Sequence, residues 1–144
     1  MENPKYDKDF YAWALHNAEL LRQGKFTEVD TENVAEEIES MGRNNKQALL
    51  NRLAIILAHL LKWQFQPSIR SKSWKLTLKE QRLRVQKLLI KNPSLKYQIV
   101  ENFNDAYQLA IIKALRETGL PETTFSENCL YSLEQCLNSD FFPE

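Results

Sequence analysis

The sequence predicts an all-α protein. We expect a compact bundle of four main helices, with a long second helix open to a kink and a short C-terminal helix, in one domain over residues 1–144. Three observations predict it. Apolar residues recur at steps of three and four, the period of a buried helical stripe. No segment shows the period-two alternation of a strand. Gly24, Gly119, Pro67, Pro93 and Pro121 fall between the periodic stretches, where helices stop.

Taken in order, residues 1–6 are polar, and Asp7 is placed to cap a first helix over 8–23. Phe10, Trp13, Ala14, Leu20 and Leu21 give that helix an apolar side, and Gly24 can stop it. Phe26 and Val29, in the link that follows, are expected to plug into the core. Asp30 then opens the stretch on which the chain is organised, with acidic Glu32, Glu36, Glu37 and Glu39 toward the helix start. Val34, Ile38 and Met41 keep the helical step, and Leu49, Leu53, Ile56, Leu57 and Leu60 resume it after a polar run. An unbroken helix up to Pro67 would be about 55 Å long at ~1.5 Å per residue. Gly42 and the run Arg43-Asn44-Asn45-Lys46-Gln47 predict a kink or short break midway.

Ser71 or Ser73 can start a third helix, ending near Lys91. Trp74, Leu78, Val85, Leu88 and Leu89 form its apolar side, with Leu76 and Leu83 off to one side. Asn92-Pro93-Ser94 is the next break, with Ser94 as the expected cap of a fourth helix over 95–117. Ile99, Phe103, Ala106, Ala110 and Ala114 mark its inner stripe, and Gly119 with Pro121 marks its stop. Ser132 and Gln135 form a capping box for a short helix over 133–138, and Phe141-Phe142-Pro143 is apolar enough to dock back on the body.

Composition excludes several classes. No apolar run approaches the ~18 residues that span a membrane, and the N-terminus has no apolar signal core, so a cytoplasmic protein without a membrane partner is expected. There is no glycine-rich phosphate loop. Cys129 and Cys136 read as buried, reduced thiols. With two cysteines and two histidines the chain is too poor in ligands for a structural zinc centre. No cofactor and no metal are expected. The net charge of zero hides a strong layout: residues 1–40 carry −6, residues 41–100 carry +12, and residues 101–144 carry −6. A basic region flanked by acidic segments can neutralise itself, or present a face to nucleic acid or to an acidic protein.

The residues that could carry function lie between 30 and 91. Lys75, Lys79, Arg82 and Lys87 are the expected basic face. Trp63, Arg70 and Trp74 bracket the Pro67 turn, and interleaved aromatic and basic residues can grip a single strand or pack a helical corner. Arg52 and His59 share a helix side, and the spacing Arg, six residues, His resembles the active-site signature of the HEPN ribonuclease superfamily. That resemblance implies His59 as acid or base and Arg52 on phosphate. Leu53 departs from it, standing where a polar residue commonly follows the arginine. Glu36, Glu37 and Glu39 are too few for a di-metal bundle, because no Glu-x-x-His element accompanies them.

Six segments resemble one bacterial family, that labelled domain of unknown function number 29. They are YDKDFYAWA (6–14), AEEIESMGR (35–43), HLLKWQFQP (59–67), RSKSW (70–74), TGLP (118–121) and YSLEQCLNSDFFPE (131–144). The resemblance spans essentially the whole chain. It implies a compact helical protein and transfers no catalytic residue. The resulting expectation is a binding or assembly module with a basic central surface and a protein or nucleic-acid partner, open to self-association through the long second helix. The alternative is a HEPN-like ribonuclease.

Overall fold

In the computed structural model, which describes residues 2–144, the architecture is all helical. The main helices are α1 (Phe10–Arg22), α2 (Thr31–Phe65), α3 (Lys72–Lys91) and α4 (Leu95–Thr118), followed by the short α5 (Leu133–Leu137). The chain divides into two compact units, one ending at Asn44 and one beginning at Asn45. The expected break at Gly42 is absent: α2 runs through all 35 residues, about 52 Å at ~1.5 Å per residue. A single glycine among good helix formers lowers local helix stability without ending the helix. The polar run after Gly42 marks the passage from one unit to the other.

Unit 1 holds α1 and the first half of α2 around Trp13. Its indole N–H donates to the Asp30 carboxylate (2.9 Å), and Tyr6 stands edge-on to its ring at 4.7 Å. Buried Asn17 donates to the Trp13 carbonyl (3.0 Å) and accepts from the Asp30 amide (2.8 Å). Hydrogen bonds from Asn33 and Trp13 hold the Asp30 carboxyl below the usual range. Asp9, not Asp7, caps α1, accepting from the Ala12 amide (3.1 Å). The amides of Lys8 and Asp9 both bond to the Lys5 carbonyl, so a turn occupies residues 5–9 and Asp9 is the first residue free to cap. Gly24 ends α1 region with φ +74°, the left-handed conformation that glycine adopts without strain. Phe26 does not plug into the core; it is 66% exposed.

Unit 2 is built on the second half of α2. From Leu53 to Trp63 its sequence is apolar on nearly every side, the pattern of a helix buried all round. Leu49, Leu53, Ile56, Leu57, Leu60 and Leu61 are all buried, packed with Leu78 and Val85 of α3 and Ile99, Ala106 and Tyr107 of α4. Ser71 caps α3 by accepting from the Trp74 amide (3.2 Å). Ser94 does not cap α4: its backbone is already helical, and it makes no side-chain cap bond. Pro93 sets this turn, which closes with the Leu95 amide on the Asn92 carbonyl (3.0 Å). Gly119 stops α4 in the left-handed conformation, φ +70°. The Ser132–Gln135 capping box forms with both of its bonds. The tail docks, with Phe142 against Trp63 at 4.9 Å and Phe141 edge-on to Tyr131 at 6.0 Å. Cys136 is fully buried and Cys129 half-buried, both free thiols; burial pushes Cys136 up to about 12.

Candidate functional site

The side chains of α3 divide by spacing. Leu78, Arg82 and Val85 point into unit 2, with Trp74, Leu88 and Leu89 half-buried beside them. Lys72, Lys75, Lys79, Arg84, Lys87 and Lys91 lie on the exposed side. Through the middle of that side runs an apolar row at seven-residue spacing: Leu76, Leu83 and Ile90, exposed by 53%, 49% and 80%. Seven residues are close to two turns, so the three stand nearly in line. The one acidic residue on α3, Glu80, is tied to Arg84 at 3.0 Å. Among the described residues, Lys72, Lys75, Lys79 and Lys87 have no carboxylate within ion-pair distance. The charge on this face is therefore open to a partner.

Arg82 is not part of that face. It is 1% exposed, and burial draws its pKa below the usual arginine range. Its Nε donates to the Cys136 carbonyl (2.8 Å), and its Nη2 to the carbonyls of Phe141 (2.9 Å) and Gln135 (3.3 Å). These bonds tie α5 and the tail to α3 and satisfy a charge that burial would otherwise penalise heavily.

Around the Pro67 turn the aromatic and basic residues pack on one another. Arg70 donates to the Trp63 carbonyl (2.7 Å) and lies over the Trp63 ring at 4.9 Å. Lys75 stands 5.6 Å from the same ring and 6.0 Å from that of Phe142. Lys62, nearly buried, covers Trp74 at 4.9 Å and pairs with Glu117 at 3.0 Å. The Trp63 ring thus has cations and Phe142 against it and is itself almost fully buried. Beside it, a depression of about 310 Å³ is lined by Trp63, Arg70, Ser71, Lys72 and Lys75.

Arg52 and His59 are half-buried on α2, and each is engaged by a protein partner. Arg52 donates to the Gln81 side chain on α3 (3.1 Å). His59 Nδ1 meets the Ile55 carbonyl at 3.0 Å. A carbonyl only accepts, so the neutral ring carries its proton on Nδ1. Burial lowers the His59 pKa, with a smaller push in the same direction from Lys62. The sign follows: the unfolded chain binds the proton more readily, so stability is complete above about 6.5 and falls as pH drops below it. Urea midpoints should therefore be lower at pH 5.5 than at 7.5, and His59→Asn should narrow that gap. Asparagine can keep the bond, as Asn92 already does on the Leu88 carbonyl (3.1 Å). An unchanged gap in the variant would exclude His59 as its source.

The acidic turn of α2 is also engaged. Glu36 pairs with Arg43 (2.7 Å), Glu39 lies 3.7 Å from the same guanidinium, and Glu37 accepts from the Tyr6 hydroxyl. Among the described residues no three His, Cys, Asp or Glu gather as a metal site would require. The aligned row on α3 was only partly visible in the sequence: Leu76 and Leu83 stand off the buried stripe, and their seven-residue repeat extends to Ile90.

Compared with known proteins, residues 5–142 match the model of a family described as "Domain of unknown function DUF29". No curated protein and no solved structure matches the chain. No helix among the described residues is long and apolar enough to cross a membrane.

Proposed function

The chain belongs to the DUF29 family, whose function is unknown, and on that premise we propose that it is a binding module that docks a protein on the exposed face of α3. The observation that carries this is the aligned row Leu76, Leu83 and Ile90 between unpaired lysines. Burying such a row is favourable by ~25 cal/mol per Å² of apolar surface, and the lysines select for an acidic surround. A phosphate backbone would use the lysines and leave the row in water. The partner that fits is an acidic protein surface with an apolar furrow, met in the cytoplasm.

A nucleic-acid reading has one observation in its favour, the depression at Arg70, Lys72 and Lys75. Against stacking there, the Trp63 ring is already covered. The ribonuclease alternative rests on Arg52 and His59, both engaged within unit 2.

The deciding experiment places a photo-cross-linking amino acid at position 83 of the full chain in cells. In parallel, purified protein is offered short fluorescent RNA and DNA at low and moderate salt, with strand integrity followed. We expect a protein cross-link from position 83 that is lost when Lys79 and Lys87 are replaced by glutamate. Salt-sensitive binding of the oligonucleotides, lost in Lys75→Glu but indifferent to Leu83→Ser, would overturn the reading in favour of nucleic acid. RNA cleavage abolished by His59→Ala, with the fold intact by circular dichroism, would overturn it in favour of the nuclease.

A further inference from the structure

Unit 1 contains an apolar groove between α1 and the first half of α2, about 330 Å³ in volume. Its walls include Phe10, Leu21, Val34, Ile38 and Met41. Phe10, Leu21, Ile38 and Met41 are 50%, 43%, 60% and 59% exposed. The two polar side chains lining it are already engaged: Asn17 bonds to the Trp13 carbonyl and Asp30 amide, and Glu37 to Tyr6. The groove therefore offers apolar surface without a free polar group.

Building on the reading of α3 above, we propose that the protein docked on α3 is a second copy of this chain, whose unit 1 groove receives the Leu76–Leu83–Ile90 row. Charge argues first. Residues 1–44 hold ten acidic and five basic side chains, net −5, whereas α3 holds seven basic and one acidic. Groove against groove would bring two acidic units together; groove against α3 brings opposite charges together. Length agrees as well. The row extends over about 21 Å and α1 from Phe10 to Leu21 over about 17 Å, at ~1.5 Å per residue. An amphipathic helix laid in an apolar groove by residues at such spacing is a recurrent mode of recognition.

Area points the same way. At ~150–250 Å² for an aromatic side chain and somewhat less for Leu, Ile or Met, the exposed parts of these seven residues of one groove and one row together cover roughly 700 Å². A two-fold pair of such contacts reaches roughly 1,400 Å², within the ~1,200–2,000 Å² of stable specific interfaces. One contact alone falls short of that range, which favours a closed, reciprocal dimer over an open chain.

The test is sedimentation equilibrium of the full chain, with Ile38→Glu in the groove and Leu83→Glu on α3. Both positions are exposed enough to take a charge without unfolding; should Leu83→Glu lower the melting temperature, Leu83→Ser reads the same contact. We expect a dimer that loosens as salt rises, and a dissociation constant about tenfold or more higher in each variant. Mixing the two variants should give a heterodimer tighter than either variant alone, because one of its two contacts is intact. A dimer weakened by Ile38→Glu but indifferent to Leu83→Glu would mean groove-to-groove pairing and overturn the proposal. A chain that stays monomeric while position 83 still cross-links to another protein would overturn it and leave the reading of α3 standing. A monomer with no such cross-link would overturn both.

Discussion

Replacing Arg82 by methionine is expected to lower the free energy of unfolding by about 3 kcal/mol or more. Methionine keeps most of the buried volume but donates nothing, so the carbonyls of Cys136 and Phe141 lose their donor together, while that of Gln135 keeps only the Asn138 amide (3.3 Å). Each buried acceptor left unsatisfied costs roughly 1–3 kcal/mol, and release of the tail into water limits the total. For a chain of this length the melting temperature should fall by about 10 °C, at ~2–4 °C per kcal/mol. Arg82→Lys should recover only part of the loss, because one ammonium cannot reproduce a planar fork facing several carbonyls. Protease digestion should then cut first near residues 138–144, which Arg82 holds through Phe141. A variant within about 0.5 kcal/mol of wild type would show that these bonds do not hold the tail. The result also separates two meanings of a basic residue on α3: any loss of binding in an Arg82 variant comes with a loss of fold, whereas Lys79 and Lys87 are exposed and free to act at the surface.

Arg82 also shows what spacing can and cannot reveal. Leu78, Arg82, Val85 and Leu89 follow one another at four, three and four, so the helical period places Arg82 on the buried stripe. Residue type argued the other way, since arginine is seldom buried without partners. Those partners lie 53 to 59 positions downstream, two in the five-residue α5, too short to show a period, and one in the irregular tail. The long apolar run of α2, the Gly119 stop and the Ser132–Gln135 box were legible because each depends on neighbours within a few positions. The caps of α1 and α4 were misplaced by local geometry: a turn on the Lys5 carbonyl shifts the first to Asp9, and Pro93 makes the Ser94 cap redundant. Gly42 and the polar run after it predict a kink or short break because glycine is a poor helix former, yet one residue's penalty of ~1 kcal/mol is small against a helix of this length, and no break occurs. The candidate face was legible in its charge. Its apolar row is harder to see in the sequence, because Leu76 and Leu83 depart from the buried stripe of α3.

Two truncations on α2 test the division of the chain. Leu57 is 0% exposed and Ile38 60% exposed, although both sit on the same helix at apolar positions of the same period. Leu57→Ala should cost about 3–5 kcal/mol, since it removes buried methyl groups and leaves a cavity that the surrounding leucines and α4 cannot fully close. Ile38→Ala should cost under about 1 kcal/mol, because most of that side chain already meets water. Chemical denaturation of both variants, at a protein concentration low enough for the chain to be monomeric, measures the difference directly. Sequence periodicity alone predicts similar losses, because it does not say whether a stripe is covered. Comparable losses in the monomer would mean that the first half of α2 is already covered within the single chain, which would close the groove and remove the basis for the dimer. A wide gap would mean that a stripe as regular as the one at Leu57 is maintained at Ile38 without contributing to the fold of the single chain, the behaviour of a surface that acts by meeting another.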